Sequence, residues 1–202
     1  ILAIFLKHWA KRVKIIGASN GYLSSYALTL MIIAFCQSRQ PPVLPCLQER
    51  KLRSQQPKTV YYPVPIEELE SKKRRRSHYG NSQGSNPDSR VFCMIETDAF
   101  FENNLNVIAK EYMGGQRNTA SVGQLLYEFF VFFLYEFDPA NQVISVKEPS
   151  GFARKCQNDK LPFSIVDPFD VHKNPGRHVK TNSVQHKQIM MQFRIALDRF
   201  TS

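Results

Sequence analysis

Carboxylates are missing from the first 45 residues of this chain, which carry five Lys/Arg and no Asp or Glu. Cysteine is scarce as well: Cys36, Cys46, Cys93 and Cys156 stand far apart, without a C-x-x-C pair or a companion histidine cluster. That spacing argues against a zinc framework or a disulfide-stapled scaffold. It fits a reducing intracellular compartment, whether cytoplasm, nucleus or mitochondrion. Long hydrophobic runs are absent too. The apolar run from Ala27 to Cys36 is roughly half of what a bilayer-spanning helix needs, and Gln124, Glu128 and Glu136 interrupt the aromatic stretch from Val122 to Phe137. No membrane segment is expected. Neither H-E-x-x-H nor G-x-x-x-x-G-K-[ST] occurs, which leaves independent zinc-hydrolase or P-loop ATPase chemistry without support. No internal repeat is visible. The chain opens on Ile1 rather than Met, already inside an apolar helical pattern. A fragment of a longer protein is therefore expected, with any targeting peptide out of view.

The 202 residues, 43% of them hydrophobic and 12% aromatic, are enough for one substantial core. The net charge of +10 is unevenly placed. Residues 46 to 90 carry ten Lys/Arg against five Asp/Glu, and the remainder is balanced at twelve against twelve. Such an N-terminal excess attracts phosphate, so a nucleotide or RNA is favoured over an acidic protein as partner. Solvated surface lysines are the plain alternative.

Periodicity then divides the chain. Leu2, Phe5, Trp9 and Val13 recur at helical spacing, with Lys7, Lys11 and Lys14 on another face and Gly17 as the stop. After a turn at Ser19-Asn20-Gly21, a nearly continuous apolar helix is predicted from about Ser24 to Cys36, and Pro41, Pro42 and Pro45 enforce an extended exit. These residues, 1–46, form the first part of one helical domain. Residues 47–117 read as a polar, basic insertion, largely disordered to about 90. Its run Lys72, Lys73, Arg74, Arg75 and Arg76 reads as an RNA-contacting or nuclear-import patch, or as solvated charge. From Val91 to Tyr112, short helical pieces carrying Phe92, Ile95, Phe100, Phe101, Leu105, Val107 and Ile108 are expected to dock on the core. Residues 118–202 complete the domain. Asn118 or Thr119 is expected to cap a helix with Val122, Leu125, Leu126, Phe129, Phe130, Phe133 and Leu134 on its apolar face, a short strand follows over Gln142 to Lys147, and a final amphipathic helix runs from Val184 to Phe200. The fold class is mainly α with a small β element.

Lys7 and Lys11, four apart on a helix, can reach one anion from the same side. Ser24 and Ser25 stand at a helix start, where free N–H groups favour phosphate, and Tyr26 follows, placed to stack on a base. Ser-Ser before a helix is equally an ordinary cap. Further along, Asp167-Pro168-Phe169-Asp170, then His172, Lys173, Asn174 and Arg177, make a compact polar loop. It can present carboxylates to the edge of a base, or it is simply an Asx turn stiffened by proline.

LKHWAK with YLSSYALTLM and PPVLP, then SVGQLLYEFFVFFLYEFD, then IVDPFDVHKNPGR resemble, in order, the central, PAP-associated region of terminal uridylyltransferases and cytoplasmic poly(A) polymerases. These belong to the DNA polymerase beta-like nucleotidyltransferase superfamily. The resemblance covers about residues 1 to 46 and 118 to 200. It implies a helical PAP/OAS1-like substrate-binding (PAP-associated) domain facing a nucleotide triphosphate, with an RNA 3' end as second partner. By it, Lys7, Lys11 and Ser25 contact the phosphates, Tyr26 stacks on the base, and Asp167, Asp170, Lys173 and Arg177 belong to the base-recognition loop. Many uridylyl-transferring members have His where Lys173 stands, so UTP and ATP both stay open as substrate. The family's Gly-Ser turn and Asp triad, which hold Mg2+ or Mn2+, belong upstream of LKHWAK, and no such signature occurs in this sequence. The resemblance therefore implies a chain inactive by itself, the nucleotide-binding half of an enzyme that adds UMP or AMP to RNA 3' ends. A non-catalytic RNA-binding or scaffold protein derived from the family is the alternative.

Overall fold

The computed structural model describes residues 1–48, 60–65, 92–97, 101–110, 117–170 and 172–201, the segments 60–65 and 92–97 by their backbone alone. The basic run from Lys72 to Arg76 and the Gly114-Gly115 pair lie outside the described residues.

Helix α1, Leu2–Arg12, buries Leu2, Leu6 and Ala10 at four-residue spacing, with Trp9 and Val13 partly buried beside them. Phe5, expected on the buried face, is 50% exposed, because at 100° per residue it falls roughly a quarter turn away from that stripe. The helix also stops earlier than Gly17. Lys14 takes the left-handed conformation with φ 59°, and its amide donates to the Lys11 carbonyl. Lys14 therefore does not share a helix face with Lys7 and Lys11. Gly17 instead closes the next turn, donating to the Leu23 carbonyl and accepting from the Asn20 and Tyr22 amides.

Helix α2, Ser25–Ser38, starts where Ser24 Oγ accepts from the Ala27 amide at 2.9 Å. Nine of its residues are buried, as a helix apolar on nearly all sides demands. It packs beside α1 and against the later aromatic helix. The Asn118 side chain reaches back to donate to the Pro41 carbonyl at 2.7 Å, so the two flanks of the insertion are tied together.

Strands β1, Val60–Pro65, and β2, Phe92–Thr97, pair antiparallel with Val60 opposite Thr97 and Pro65 opposite Phe92. Disorder is the expectation for the range containing β1, and helix for the range containing β2. The local composition explains the strands, since β-branched and aromatic residues dominate Val60-Tyr61-Tyr62 and make up half of β2 as Phe92, Ile95 and Thr97. Helix α3, Leu105–Ile108, is a single turn with no buried residue, so it does not dock on the core as expected. At the base of the insertion the Glu102 amide donates to the Leu47 carbonyl at 2.8 Å.

Helix α4, Val122–Val131, is capped by Ser121, whose Oγ accepts from the Gln124 amide at 3.1 Å. Asn118, one of the two expected caps, orders the approach instead by accepting from the Ala120 amide. A π-helical turn over Phe132–Glu136 follows. The widened turn shifts the angular register, and Phe132 is buried along with Phe129, Phe130 and Phe133. These rings meet Phe35 from α2 and Trp9 from α1 at centroid separations of 4.9–5.9 Å, near-edge contacts that add to simple area burial. Val122, at the start of α4, is exposed rather than part of that face.

Strand β3, Gln142–Ile144, is shorter than expected and pairs with β4, Phe152–Arg154, through a turn at Gly151. Gly151 has φ 76°, and a Cβ there would lie 2.1 Å from the Ala34 carbonyl oxygen, so only glycine lets this hairpin rest on the backbone of α2. Helix α5, Val184–Thr201, closes the domain by inserting Phe193 among the α4 rings. No helix among the described residues is long and apolar enough to cross a membrane.

Candidate functional site

The polar loop after Ile165 hangs from the small sheet. Ile144 in β3 donates its amide to the Ser164 carbonyl and accepts from the Val166 amide, both at 2.9 Å. Residues 164–166 thereby act as a third strand, and the chain turns at Asp167.

Asp167 is 7% exposed. Its Oδ1 accepts from the Phe169 amide at 2.9 Å and the Asp170 amide at 3.3 Å, an Asx turn that the proline corner reinforces. The same oxygen accepts from the Tyr26 hydroxyl at 3.3 Å, across 141 residues of sequence. The loop and the start of α2 are thus brought together at one point. Of the two readings of this loop made from the sequence, the Asx turn is the one the structure shows.

The rest of the loop closes on itself. The Lys173 amide donates to the Asp170 carbonyl at 2.9 Å, and the Asp167 amide to the Lys173 carbonyl at 3.3 Å. Lys173 Nζ stands 3.6 Å from Asp170 Oδ2, both groups being about half exposed, so the pair contributes little to stability while fixing where the cation sits. Asp170 Oδ1 also accepts from the His172 amide at 3.1 Å. Asn174, Gly176 and Arg177 complete the stem, the Arg177 amide donating to the Asn174 carbonyl at 3.1 Å. The Arg177 side chain is exposed.

On the helical side Tyr26 is 41% exposed. Ser25 is the first residue of α2 and is exposed, while Ser24 is committed to capping. Lys7 and Lys11 both lie on α1, and neither forms an ion pair among the described residues. Lys11 occupies the last turn, where a cation is favoured by the helix dipole with or without a ligand. Tyr26, Asp167, Asp170 and Lys173 therefore share one connected site, Ser25 adjoins it in sequence, and among the described residues no side-chain hydrogen bond or ion pair joins Lys7, Lys11 or Arg177 to it.

Three contacts carry no obvious sequence signal. Gln48 Nε2 donates to the Pro168 carbonyl at 3.4 Å, and Phe101 stacks against Phe169 with ring centroids 5.4 Å apart. Both flank the insertion, where polar composition hides them. Beneath the loop, Lys155 is buried, its Nζ donating to the Pro139 carbonyl at 2.7 Å and to the Leu161 carbonyl. Burial pulls its pKa below the usual lysine value, partly opposed by Asp159. A cavity of about 840 Å³ opens elsewhere, at the C-terminal end of α2, lined by Ser38, Arg39, Arg117, Asn118, Gln124 and Glu128 among others. None of the candidate nucleotide-contacting residues lines it.

No group of three or more His, Cys, Asp or Glu among the described residues is placed to hold a metal ion. The donor chemistry agrees: Asp167 is occupied by two turn amides and a phenol, and Asp170 by Lys173 and an amide. A resident magnesium site does not fit this loop.

The helical domain holds an aromatic at a helix start against an acidic, proline-cornered loop. Comparison with known proteins specifies it further. The family described as Cid1 family poly A polymerase matches residues 121–173. Terminal uridylyltransferase 4 of Homo sapiens is 30% identical over 185 residues, covering 88% of this chain and 9% of that protein. Poly(A) RNA polymerase cid13 of Schizosaccharomyces pombe is 25% identical over 198 residues, covering 96% of this chain and 28% of the relative. The structure of Cid1 in complex with the UTP analogue UMPNPP superposes with TM-score 0.65 at 25% identity, over all of this chain and 53% of that one, and Cid1 has also been seen with magnesium and 3'-dATP. The chain belongs to the family of Cid1, the terminal uridylyltransferases and the poly(A) polymerases, and carries its PAP-associated domain. It spans about a tenth to a third of these curated relatives and about half of the Cid1 structure.

Proposed function

We propose that this chain binds a nucleoside triphosphate for template-independent addition of UMP or AMP to RNA 3' ends, as the nucleotide-recognition half of an RNA terminal nucleotidyltransferase. The observation that carries the reading is the hydrogen bond from Tyr26 to Asp167, which joins a partly exposed tyrosine at the start of α2 to the acidic loop. In this reading the base stacks on Tyr26, and the polar edge of Asp170 and Lys173 meets its hydrogen-bonding groups. Ser25 at the helix start, with Lys7 and Lys11, takes the phosphates. Arg177 closes the loop against the ligand. Magnesium or manganese enters with the triphosphate and is held by carboxylates of the catalytic region of the complete enzyme, where it stabilises charge on the reacting phosphate.

The test is titration of UTP and ATP into the chain and its variants. Tyr26→Ala should weaken binding by about 1 to 3 kcal/mol, roughly 5- to 150-fold, the worth of base–aromatic stacking. Tyr26→Phe should lose less, because the ring remains. Unchanged affinity in Tyr26→Ala would remove the stacking role. Incubated with UTP or ATP and a short RNA, the chain alone should extend nothing, and clear extension would show that it contains its own catalytic centre.

A further inference from the structure

The loop that faces Tyr26 is held from below by a directional chain of polar groups that the nucleotide reading leaves without a purpose. Asn174 Oδ1 accepts from two backbone amides, Ile165 at 3.1 Å and Gly176 at 2.9 Å. Its Nδ2 donates to Ser164 Oγ at 3.0 Å. The amide therefore has one admissible orientation, since a flip would set its NH2 against two N–H donors. Ser164, 3% exposed, spends its single proton on Asp159 Oδ2. Asp159 in turn accepts from the Leu161 amide at 2.9 Å and stands 3.9 Å from the buried ammonium of Lys155. Donation runs one way from the two main-chain N–H groups of the loop stem through the Asn174 amide and the Ser164 hydroxyl to the Asp159 carboxylate, which the Lys155 cation faces from the other side.

We propose that Asn174 is the positioning residue for base discrimination. It clamps residue 165 to residue 176, and Ser164, Asp159 and Lys155 fix the orientation of the clamp. The proposal rests on the nucleotide-binding reading above. Three of the four hydrogen-bonding positions of the Asn174 amide are already used inside the protein, so it acts through the loop rather than by touching the base. The described residues between the clamped ends, among them Asp167, Asp170 and Lys173, inherit their placement. Stacking on Tyr26 is tolerant of base identity, whereas choosing between bases requires donors and acceptors held in place. Loosening the clamp should therefore erase preference before it erases binding.

The experiment compares the 202-residue chain with Asn174→Ala and Ser164→Ala in two measurements. The first is amide hydrogen exchange without nucleotide. Asn174→Ala should lower the protection of the Ile165 and Gly176 amides at least tenfold, and Ser164→Ala by less. The second is calorimetric titration with UTP and with ATP. The affinity ratio should collapse toward one in Asn174→Ala, with the preferred nucleotide losing about tenfold and the other changing little. A purely structural role would weaken both nucleotides equally, and that result overturns the proposal. So does unchanged protection at Ile165 and Gly176, or a wild-type chain that binds both nucleotides without preference. A wild-type chain that binds neither refutes the nucleotide reading itself and removes discrimination with it, while the exchange data still decide whether the clamp exists. If Asn174→Ala fails to fold, Ser164→Ala decides, because it removes the orienting hydroxyl and leaves the Asn174 amide in place.

Discussion

Replacing Gly176 by alanine tests the packing under the loop with a single methyl group. A Cβ at that position would lie 1.7 Å from the Phe163 carbonyl oxygen and 2.9 Å from its carbon. Both are backbone atoms, so no flexible side chain can move aside. Relief requires the loop stem or the 163–165 segment to shift, and overpacking of that kind costs about 1 to 3 kcal/mol, occasionally more. With rigid backbone as the neighbour, we expect about 3 kcal/mol, which for a chain of this size lowers Tm by roughly 6 to 12 °C. The same substitution at Gly123 is the control. Gly123 is exposed in the first turn of α4, and its nearest neighbour to an added Cβ is Ser121 Oγ at 3.9 Å. Gly123→Ala should instead stabilise by about 0.5 to 1 kcal/mol, through helix propensity and a less flexible unfolded chain. Thermal melts followed by circular dichroism at 222 nm read both. A Gly176→Ala melting within 1 °C of wild type would refute the close-approach argument.

Truncating Phe129, which is fully buried and meets Phe35, Phe130, Phe133 and Phe193, should cost about 3 to 5 kcal/mol in urea denaturation as Phe129→Ala. A loss below 1 kcal/mol would mean the ring cluster is not the core. His186 accepts from the Asn182 amide through Nδ1 at 3.3 Å, and burial holds its pKa below the ordinary 6.5. Its folded pKa being the lower one, the unfolded chain takes up the proton first. Stability is therefore full above pH 6.5 and falls on acidification until the folded group also protonates. His186→Asn should flatten that part of the Tm–pH curve between pH 7 and 5, and an unchanged slope would count against it. Among the described cysteines, Cys36 and Cys46 are buried, and burial pushes the Cys36 thiol up to about 11 despite nearby Arg39. Iodoacetamide at pH 8 should label exposed Cys156 well before either, and mass spectrometry of the peptides would expose the opposite order.

Helix content was legible because the physics is local: α2 and α5 follow from apolar periodicity and lie within a residue or two of the predicted ranges. The buried stripe of α1 was harder, since Phe5 and Leu6 are both apolar and only the packed partner decides which turns inward. Gly17 and Lys14 show the same limit. A lysine in the left-handed conformation carries no compositional mark, so the glycine attracted the assignment. Of the site, the loop and Tyr26 were visible as motif residues, but the bond between Tyr26 and Asp167 is a tertiary fact. Gln48, Phe101, Ser164, Asp159 and Lys155 were not visible as a group, because their meaning lies in contacts between segments that the sequence keeps apart.

Leu47 and Glu102 share a backbone hydrogen bond, so the two ends of the segment between them meet at nearly one point. For an excursion closed at its base, doubling the length adds only about 0.6 kcal/mol of closure entropy. The segment between them is accordingly where evolution can lengthen, shorten or recompose this protein most cheaply, and where an engineer would place a reporter or tether. Gln48 and Phe101, one residue inside each end, mark how close to the root such a graft can come before it disturbs the Pro168-Phe169 corner.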